Sequence, residues 1–300
     1  MKQPSMTALV STFARAYHAA HSTTPIFNDT LAKALLYPGE YQMIAQHMLQ
    51  GRAFFNITSE GEEALRRIVD EYLSPALLGR AAYAESALKN AVRIGARRYL
   101  ILGAGYDTFA YRQPTWAAPL QVVEIDQSAT ISDKQRRLQA AHISIPDNVQ
   151  FIAADLAQVE GLRTLTCSPA LSSKVPTFCS LLGVTYYLPQ PALAALLKVL
   201  NDLLPPGSSL VFDYPLPTYI QGADPAKQAT LAQAASEKMQ AAYTYEEIEA
   251  LLEQYNFLIY EHLSARALTV QYMDTYNRSD PAHPIAAPAN VSYCLAVRDK

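Results

Sequence analysis

The sequence is short of several things, and each shortage removes a class of answers. Only three cysteines occur among 300 residues, Cys167, Cys179 and Cys294. Their spacings fit neither a zinc site nor a redox pair, so no disulfide framework is expected. The six histidines, His18, His21, His47, His142, His262 and His283, carry no metal-ligand spacing either, and no metal is expected. Long hydrophobic runs are missing, and the first 25 residues lack the continuous apolar block of a signal peptide, which leads to the expectation of a soluble, cytoplasmic protein without a membrane partner. An excess of positive charge is also missing. The balance of 24 basic against 27 acidic residues gives a formal net charge of −3, with the basic residues dispersed, so nucleic acid is not an expected partner.

What is present is a chain half apolar, enough for one substantial core with additions. Tyrosine stands at 19 against nine phenylalanines and one tryptophan, a supply of apolar rings with a polar tip that serves packing or the lining of a pocket. The sequence before residue 97 reads as helical, without a strand signal. Thr7 to Ala20 is an apolar-rich run, Ser59-Glu60-Gly61-Glu62 has the form of a capping box opening a helix to about Leu73, and a further helix is expected from Pro75 to Ile94. Residues 1–95 are accordingly expected to form a helical cap packed on a core that residues 96–300 build.

Beyond residue 97 short β-type runs alternate with helical ones. Strands are expected at Arg98 to Leu102, Leu120 to Ile125, Val149 to Ala153, Thr177 to Leu182 and Ser209 to Tyr214. Helices are expected near Thr108 to Tyr111, Ser128 to Ala141, Glu160 to Leu165 and Pro191 to Leu204. Repeated βα units specify a parallel sheet covered on both faces. Residues 215–243 then interrupt the alternation with Pro215, Pro217, Gly222 and Pro225 before turning helix-like from Ala226, which reads as an insertion suited to a lid. A second capping box, Thr244-Tyr245-Glu246-Glu247, opens a helix. Two final strand-like runs follow, Phe257 to Leu263 and Val291 to Val297, separated by a segment carrying Pro281, Pro284 and Pro288. One of this last pair is expected to be antiparallel.

Three successive strand ends carry ligand-type residues. After Tyr99-Leu100-Ile101-Leu102 comes Gly103-Ala104-Gly105, where glycine permits a tight turn and lets a ligand approach the backbone. The dinucleotide fingerprint wants a third glycine where this chain has Thr108, which disfavours NAD or FAD. The next strand ends in Glu124-Ile125-Asp126, and Asp126 follows Gly105 by about twenty residues, the separation of a ribose-binding acid. Glu124 and Asp126 share a strand face, so either could reach the sugar. The third strand ends in Ala154-Asp155-Leu156, where Asp155 suits an adenine amino group or a cap. In open α/β sheets that edge is where ligands bind.

With further markers, these motifs make the chain resemble the leucine carboxyl methyltransferase family of class I S-adenosylmethionine-dependent methyltransferases, and in particular its bacterial small-molecule O-methyltransferase branch. The additional markers are Ile26-Phe27-Asn28-Asp29, Gly79-Arg80, the turn extended through Tyr106-Asp107-Thr108 with Arg112, Leu182-Gly183-Val184-Thr185-Tyr186-Tyr187-Leu188, and Pro206-Gly207-Ser208 leading to Phe212-Asp213-Tyr214. The resemblance implies an α/β fold of Rossmann-like type, with a seven-stranded, mostly parallel sheet, a helical cap and an insertion after strand five. It implies S-adenosylmethionine as cofactor. Arg80 would pair with its carboxylate, Gly103, Ala104 and Gly105 would form the turn, Asp126 would hold the ribose, Asp155 and Leu156 the adenine, and backbone carbonyls near Gly103 or Leu182 the amino group. Arg15 would lie near the methionine moiety, and Asp107 and Arg112 would brace the turn. Where phosphatase-methylating relatives carry an acid, this chain has Leu182, which points away from that substrate and toward a small-molecule acceptor.

Methyl transfer from a sulfonium is an in-line displacement that a protein catalyses mainly by positioning and by excluding water. A carboxylate acceptor needs no base, because its pKa is about 4; a hydroxyl needs one, and His18 or His21 would be the candidates, against the reading that both simply face solvent. Tyr17, His18, Tyr186, Tyr214 and Tyr219 are the candidates for lining an acceptor pocket. The alternatives are a cofactor-binding regulatory protein without turnover and, less favoured, a nicotinamide oxidoreductase. The sequence does not specify a catalytic residue or an oligomeric state.

Overall fold

In the computed structural model residues 5–221 and 239–299 are described. Seven strands, β1 (Arg98–Leu102), β2 (Gln121–Asp126), β3 (Val149–Ala153), β4 (Thr177–Leu181), β5 (Ser209–Pro215), β6 (Phe257–Leu263) and β7 (Val291–Arg298), form one sheet in the order β3-β2-β1-β4-β5-β7-β6. The first five pair in parallel. β7 runs antiparallel between β5 and β6. β1, β4 and β5 are buried along their whole length, as the apolar central strands of a sheet covered on both faces must be. The chain runs outward from β1 through β2 to β3, then returns to the other side of β1 for β4 and β5. The switch point therefore lies between β1 and β4, and their carboxyl ends open the crevice in which such sheets take ligands.

Among the described residues the α-helices before β6 are α1 (Met6–His21), α2 (Glu40–Gln50), α3 (Gly61–Ile68), α4 (Ser74–Arg93), α5 (Phe109–Arg112), α6 (Ser128–Ala140), α7 (Val159–Thr166), α8 (Gln190–Leu203), α9 (Pro217–Gln221) and α10 (Tyr245–Gln254). One buried cluster packs α7, α8 and α10 on one face of the sheet through residues such as Leu165, Leu196 and Leu252. Another packs α4 on the opposite face through Tyr83, Ala84 and Leu88. The N-terminal helices have a core of their own, built around Phe13, Tyr17, Phe55, Ile68 and Val69. Among the described residues no helix is long and apolar enough to cross a membrane.

The structure departs from the sequence reading at two places, and a third expectation falls largely outside the described residues. The first capping box does not form: Gly61 takes φ +59°, which turns the chain out of the right-handed path that Ser59 would cap. The Ser59 hydroxyl is left without a partner, and α3 gives way at Val69–Leu73 to a π-helical turn before α4 begins. The second box, at Thr244, forms with both reciprocal hydrogen bonds. The segment before β7, where the sequence reading placed no helix, holds two short helices, Ala265–Leu268 and Asp274–Ser279, joined by a π-helical turn over Thr269–Met273. The prolines follow these helices instead of interrupting them. Packing explains the order: Leu268 and Met273 are fully buried against α4 at Gly79, where a Cβ would stand 2.6 Å from each of them. Third, the expected lid is described only at its ends. α9 opens it, and the amides of Gln240 and Ala241 close it on the Tyr186 carbonyl at 2.8 and 3.1 Å; the helix expected from Ala226 lies outside the described residues.

Candidate functional site

The glycine turn sits at the carboxyl end of β1 and is built from both neighbouring strands. Gly103 and Gly105 take φ of +75° and +45°, the left-handed region that favours glycine. The amides of Gly103 and Ala104 donate to the Ile125 carbonyl at 2.8 and 3.0 Å, and the Gly105 amide donates to Asp126 Oδ2 at 2.7 Å. A Cβ at Gly103 would stand 2.4 Å from Val184 Cγ2, so the turn is pressed directly against the segment following β4. Asp126 also accepts the Gln127 amide at 2.7 Å on its other oxygen. Burial raises its carboxyl above the ordinary range, against the pull of those two amides. A carboxylate has about four acceptor positions, so both oxygens retain capacity for hydroxyl donors.

Glu124 and Asp126, between which the sequence leaves the choice open, stand differently in the structure. Glu124 is fully buried, 2.7 Å from Lys134 Nζ and 3.0 Å from the Tyr111 hydroxyl, inside the protein beneath α6. Asp126, two residues on, is the one at the open strand end. Asp155 lies next to it past β3. Its Oδ1 accepts the Ala157 amide at 3.1 Å and its Oδ2 faces Gln127 Nε2 at 3.4 Å, so it shapes a turn; α7 begins later, after Gln158. Leu156 is buried beside it.

On the other side of β1, Arg80 reaches from α4 to the ends of β4 and β5. Its Nη1 donates to Asp213 Oδ2 at 2.9 Å. The same carboxylate accepts the Gly183 amide at 2.6 Å and the Tyr186 hydroxyl at 3.0 Å. Leu182 is half-buried at the start of this turn. Thus Arg80 and Asp126, predicted separately from distant parts of the sequence, flank one glycine turn.

The helical cap is fastened to that turn by buried Asp29. One oxygen accepts the Thr108 hydroxyl at 2.6 Å and the other accepts Arg15 Nε at 2.9 Å. Arg15 reaches on to the Tyr106 carbonyl at 2.7 Å. Arg112 donates to Thr108 Oγ1 at 2.9 Å and to Glu85 at 2.8 Å. The residue that replaces the third fingerprint glycine is therefore the anchor between turn and cap. Asp107 braces the turn locally by accepting the Phe109 amide at 2.8 Å.

The acceptor-pocket candidates are scattered. Tyr186 meets the Arg80–Asp213 pair, and Tyr219 packs edge-on against it at 5.5 Å. Tyr17 lies within the core of the cap, where burial raises its phenol to about 12. His18 is not solvent-facing: it is 2% exposed, its Nε2 accepts the Ile26 amide at 2.9 Å, and burial lowers its pKa to about 4. His21 is exposed and stacks on Tyr17. Tyr214 sits on the face of the sheet away from Arg80, its hydroxyl 2.8 Å from His262 Nε2. Strand alternation carries the reason, because Asp213 and Tyr214 are adjacent and must face opposite ways. The sequence reading gave no role to Asp213 or to Tyr293, which is its cross-strand partner. Period-two patterning on β5 was the available signal for the first.

The sheet order, the switch-point crevice and the antiparallel β7 define the class I methyltransferase architecture. A DUF574 family protein from Streptomyces avermitilis shares the fold, with a TM-score of 0.54 at 17% identity, covering 83% of this chain and 97% of that one. The model of the family described as leucine carboxyl methyltransferase matches residues 8–201, and this chain belongs to that family. YktD of Bacillus subtilis (strain 168), an S-adenosyl-L-methionine-dependent methyltransferase by name, is 39% identical over 99% of this chain and 98% of its own. Rv3399 of Mycobacterium tuberculosis (strain ATCC 25618 / H37Rv), named in the same way, is 30% identical over 70% of this chain and 58% of its own.

Proposed function

We propose that the protein is an S-adenosylmethionine-dependent O-methyltransferase whose acceptor is a small molecule carrying a carboxylate or hydroxyl. The observation that carries this reading is the pairing of a guanidinium, Arg80, with a carboxylate, Asp126, on opposite sides of one glycine turn. That donor set suits a ligand with an anionic group at one end and vicinal hydroxyls further along. Arg80 holds the amino-acid carboxylate, Asp126 the ribose hydroxyls, and Asp155 with Leu156 the adenine. The bound cofactor supplies an electrophilic methyl group on sulfur. The chain's own share is to orient the acceptor in line with that methyl and to keep water out.

A carboxylate acceptor is favoured over a hydroxyl. The Nε2 lone pair of His18 is committed to Ile26, and a histidine whose pKa lies near 4 is a poor base at neutral pH. A carboxylate is already ionised and needs no base. The family's name, leucine carboxyl methyltransferase, agrees with this preference.

The test is calorimetric binding of S-adenosylmethionine and S-adenosylhomocysteine, with NAD as control, to wild type and to Asp126→Ala. Binding of the first two, lost in the variant, supports the reading and opens a screen of carboxylic and phenolic acceptors. Binding of NAD alone would replace it with an oxidoreductase. Tight cofactor binding without transfer to any acceptor would replace it with a regulatory role.

A further inference from the structure

We infer that Asp213 is a positioning residue: together with Gly183 and Tyr186 it fixes the Arg80 guanidinium so that its remaining donors present to the cofactor's carboxylate. The inference rests on the reading of the site given above. Asp213 is fully buried, so it does not itself touch a ligand. Its carboxylate is nevertheless the meeting point of three donors. Gly183 after β4 donates its amide to Oδ1, while Arg80 from α4 and Tyr186 both donate to Oδ2. The Thr185 hydroxyl donates to the Asp213 carbonyl at 2.6 Å, which ties the Gly183–Tyr186 turn to β5 a second time.

The guanidinium has little freedom in this setting. Gly183 takes φ +69°, and a Cβ there would lie 2.5 Å from Nη2 and 2.8 Å from both Cζ and Nη1. Arg80 thus lies close over bare backbone, which only glycine permits. Of its five N–H donors, one on Nη1 is directed to Asp213; among the described residues Nε and Nη2 have no hydrogen-bond partner. The Arg80 side chain keeps 16% exposure while that of Asp213 has none. The pair therefore has a closed side toward β5 and an open side.

The closed side is apolar. Tyr293, opposite Asp213 on β7, and Tyr219 are both almost fully buried. Water is kept from this side of the ion pair, and its directional preference is strengthened in the low local dielectric. A bidentate carboxylate site depends on a guanidinium held in one plane, and Asp213 supplies that constraint.

Asp213→Asn keeps shape but cannot serve all three donors. Whichever way its amide turns, an NH2 group faces either the Gly183 amide or the Arg80 and Tyr186 donors. The experiment compares S-adenosylhomocysteine with 5′-deoxy-5′-methylthioadenosine, which has the nucleoside and sulfur but no amino-acid carboxylate. Calorimetry on wild type, Asp213→Asn, Tyr186→Phe and Arg80→Ala, with circular dichroism on each, gives the expected pattern. Asp213→Asn weakens S-adenosylhomocysteine at least tenfold and methylthioadenosine less than twofold. Tyr186→Phe does the same more mildly, and Asp213→Asn adds nothing in the Arg80→Ala background. An Asp213→Asn variant that binds S-adenosylhomocysteine as wild type does, or that loses both ligands equally, overturns the positioning role. If wild type bound neither ligand, the cofactor reading itself would have failed.

Discussion

Lys134 and Glu124 form an ion pair with both side chains 1% exposed and 2.7 Å between charged atoms. At an effective dielectric constant of ~20 their attraction is about 6 kcal/mol, and it is this attraction that offsets the loss of hydration of both ions. Lys134→Met removes the cation and fills much of its volume. Glu124 then keeps only the Tyr111 hydroxyl, since its Oε1 has no partner even in the native protein. Removing one partner of a buried pair costs about 3–5 kcal/mol, which for a chain of this length lowers Tm by roughly 5–8 °C. Burial already raises the Glu124 pKa, with Lys134 acting against it, and the substitution raises it further. A carboxyl with a raised folded pKa binds its proton more tightly in the native state, so stability falls as pH rises from the ordinary glutamate value of 4.5 through the folded value. The destabilisation by Lys134→Met should therefore be larger at pH 8 than at pH 5. Urea unfolding of wild type, Lys134→Met and Lys134→Met/Glu124→Gln measures it, with the double variant recovering part of the loss. A single variant costing under ~1 kcal/mol, or costing the same at both pH values, would refute the buried pair.

Two further outcomes test other parts of the structure. Gly103→Ala should cost at least ~1–3 kcal/mol of backbone strain and abolish cofactor binding in calorimetry; adding Val184→Ala relieves the 2.4 Å contact but not the strain, so stability returns only in part. His18 should contribute to acid denaturation. Its folded pKa of about 4 lies below the ordinary 6.5, so the neutral form is favoured in the native state and stability is lost as pH falls from 6.5 toward 4, by about 3 kcal/mol over the window. His18→Gln should flatten wild type's stability curve there, and an unchanged slope would contradict the buried, neutral imidazole.

Much of the architecture is legible in residue order. β1, β3 and β6 fall where apolar runs bounded by turn residues place them, and the Thr244 box caps α10 because its two reciprocal hydrogen bonds are local. The same local form failed at Ser59, where one left-handed glycine redirected the chain. The 265–279 helices were hidden because what stabilises them is distant: Leu268 and Met273 fit against α4 only because Gly79 leaves room for them.

The site divides along the same line. The sequence by itself determined the glycine turn and the acid at the end of β2, because each is a residue type tied to a local conformation or to a strand end, whereas Arg80 was named only through the family resemblance. Only the tertiary structure decided that Glu124 is committed to Lys134, that Thr108 anchors the cap through Asp29, that His18 is buried and neutral, and that Tyr214 faces away while Asp213 grips Arg80. Each of those outcomes depends on which partner lies across a sheet or under a helix. A carboxylate, hydroxyl or imidazole takes its role from the groups that satisfy it, and those groups come from segments far apart in the chain.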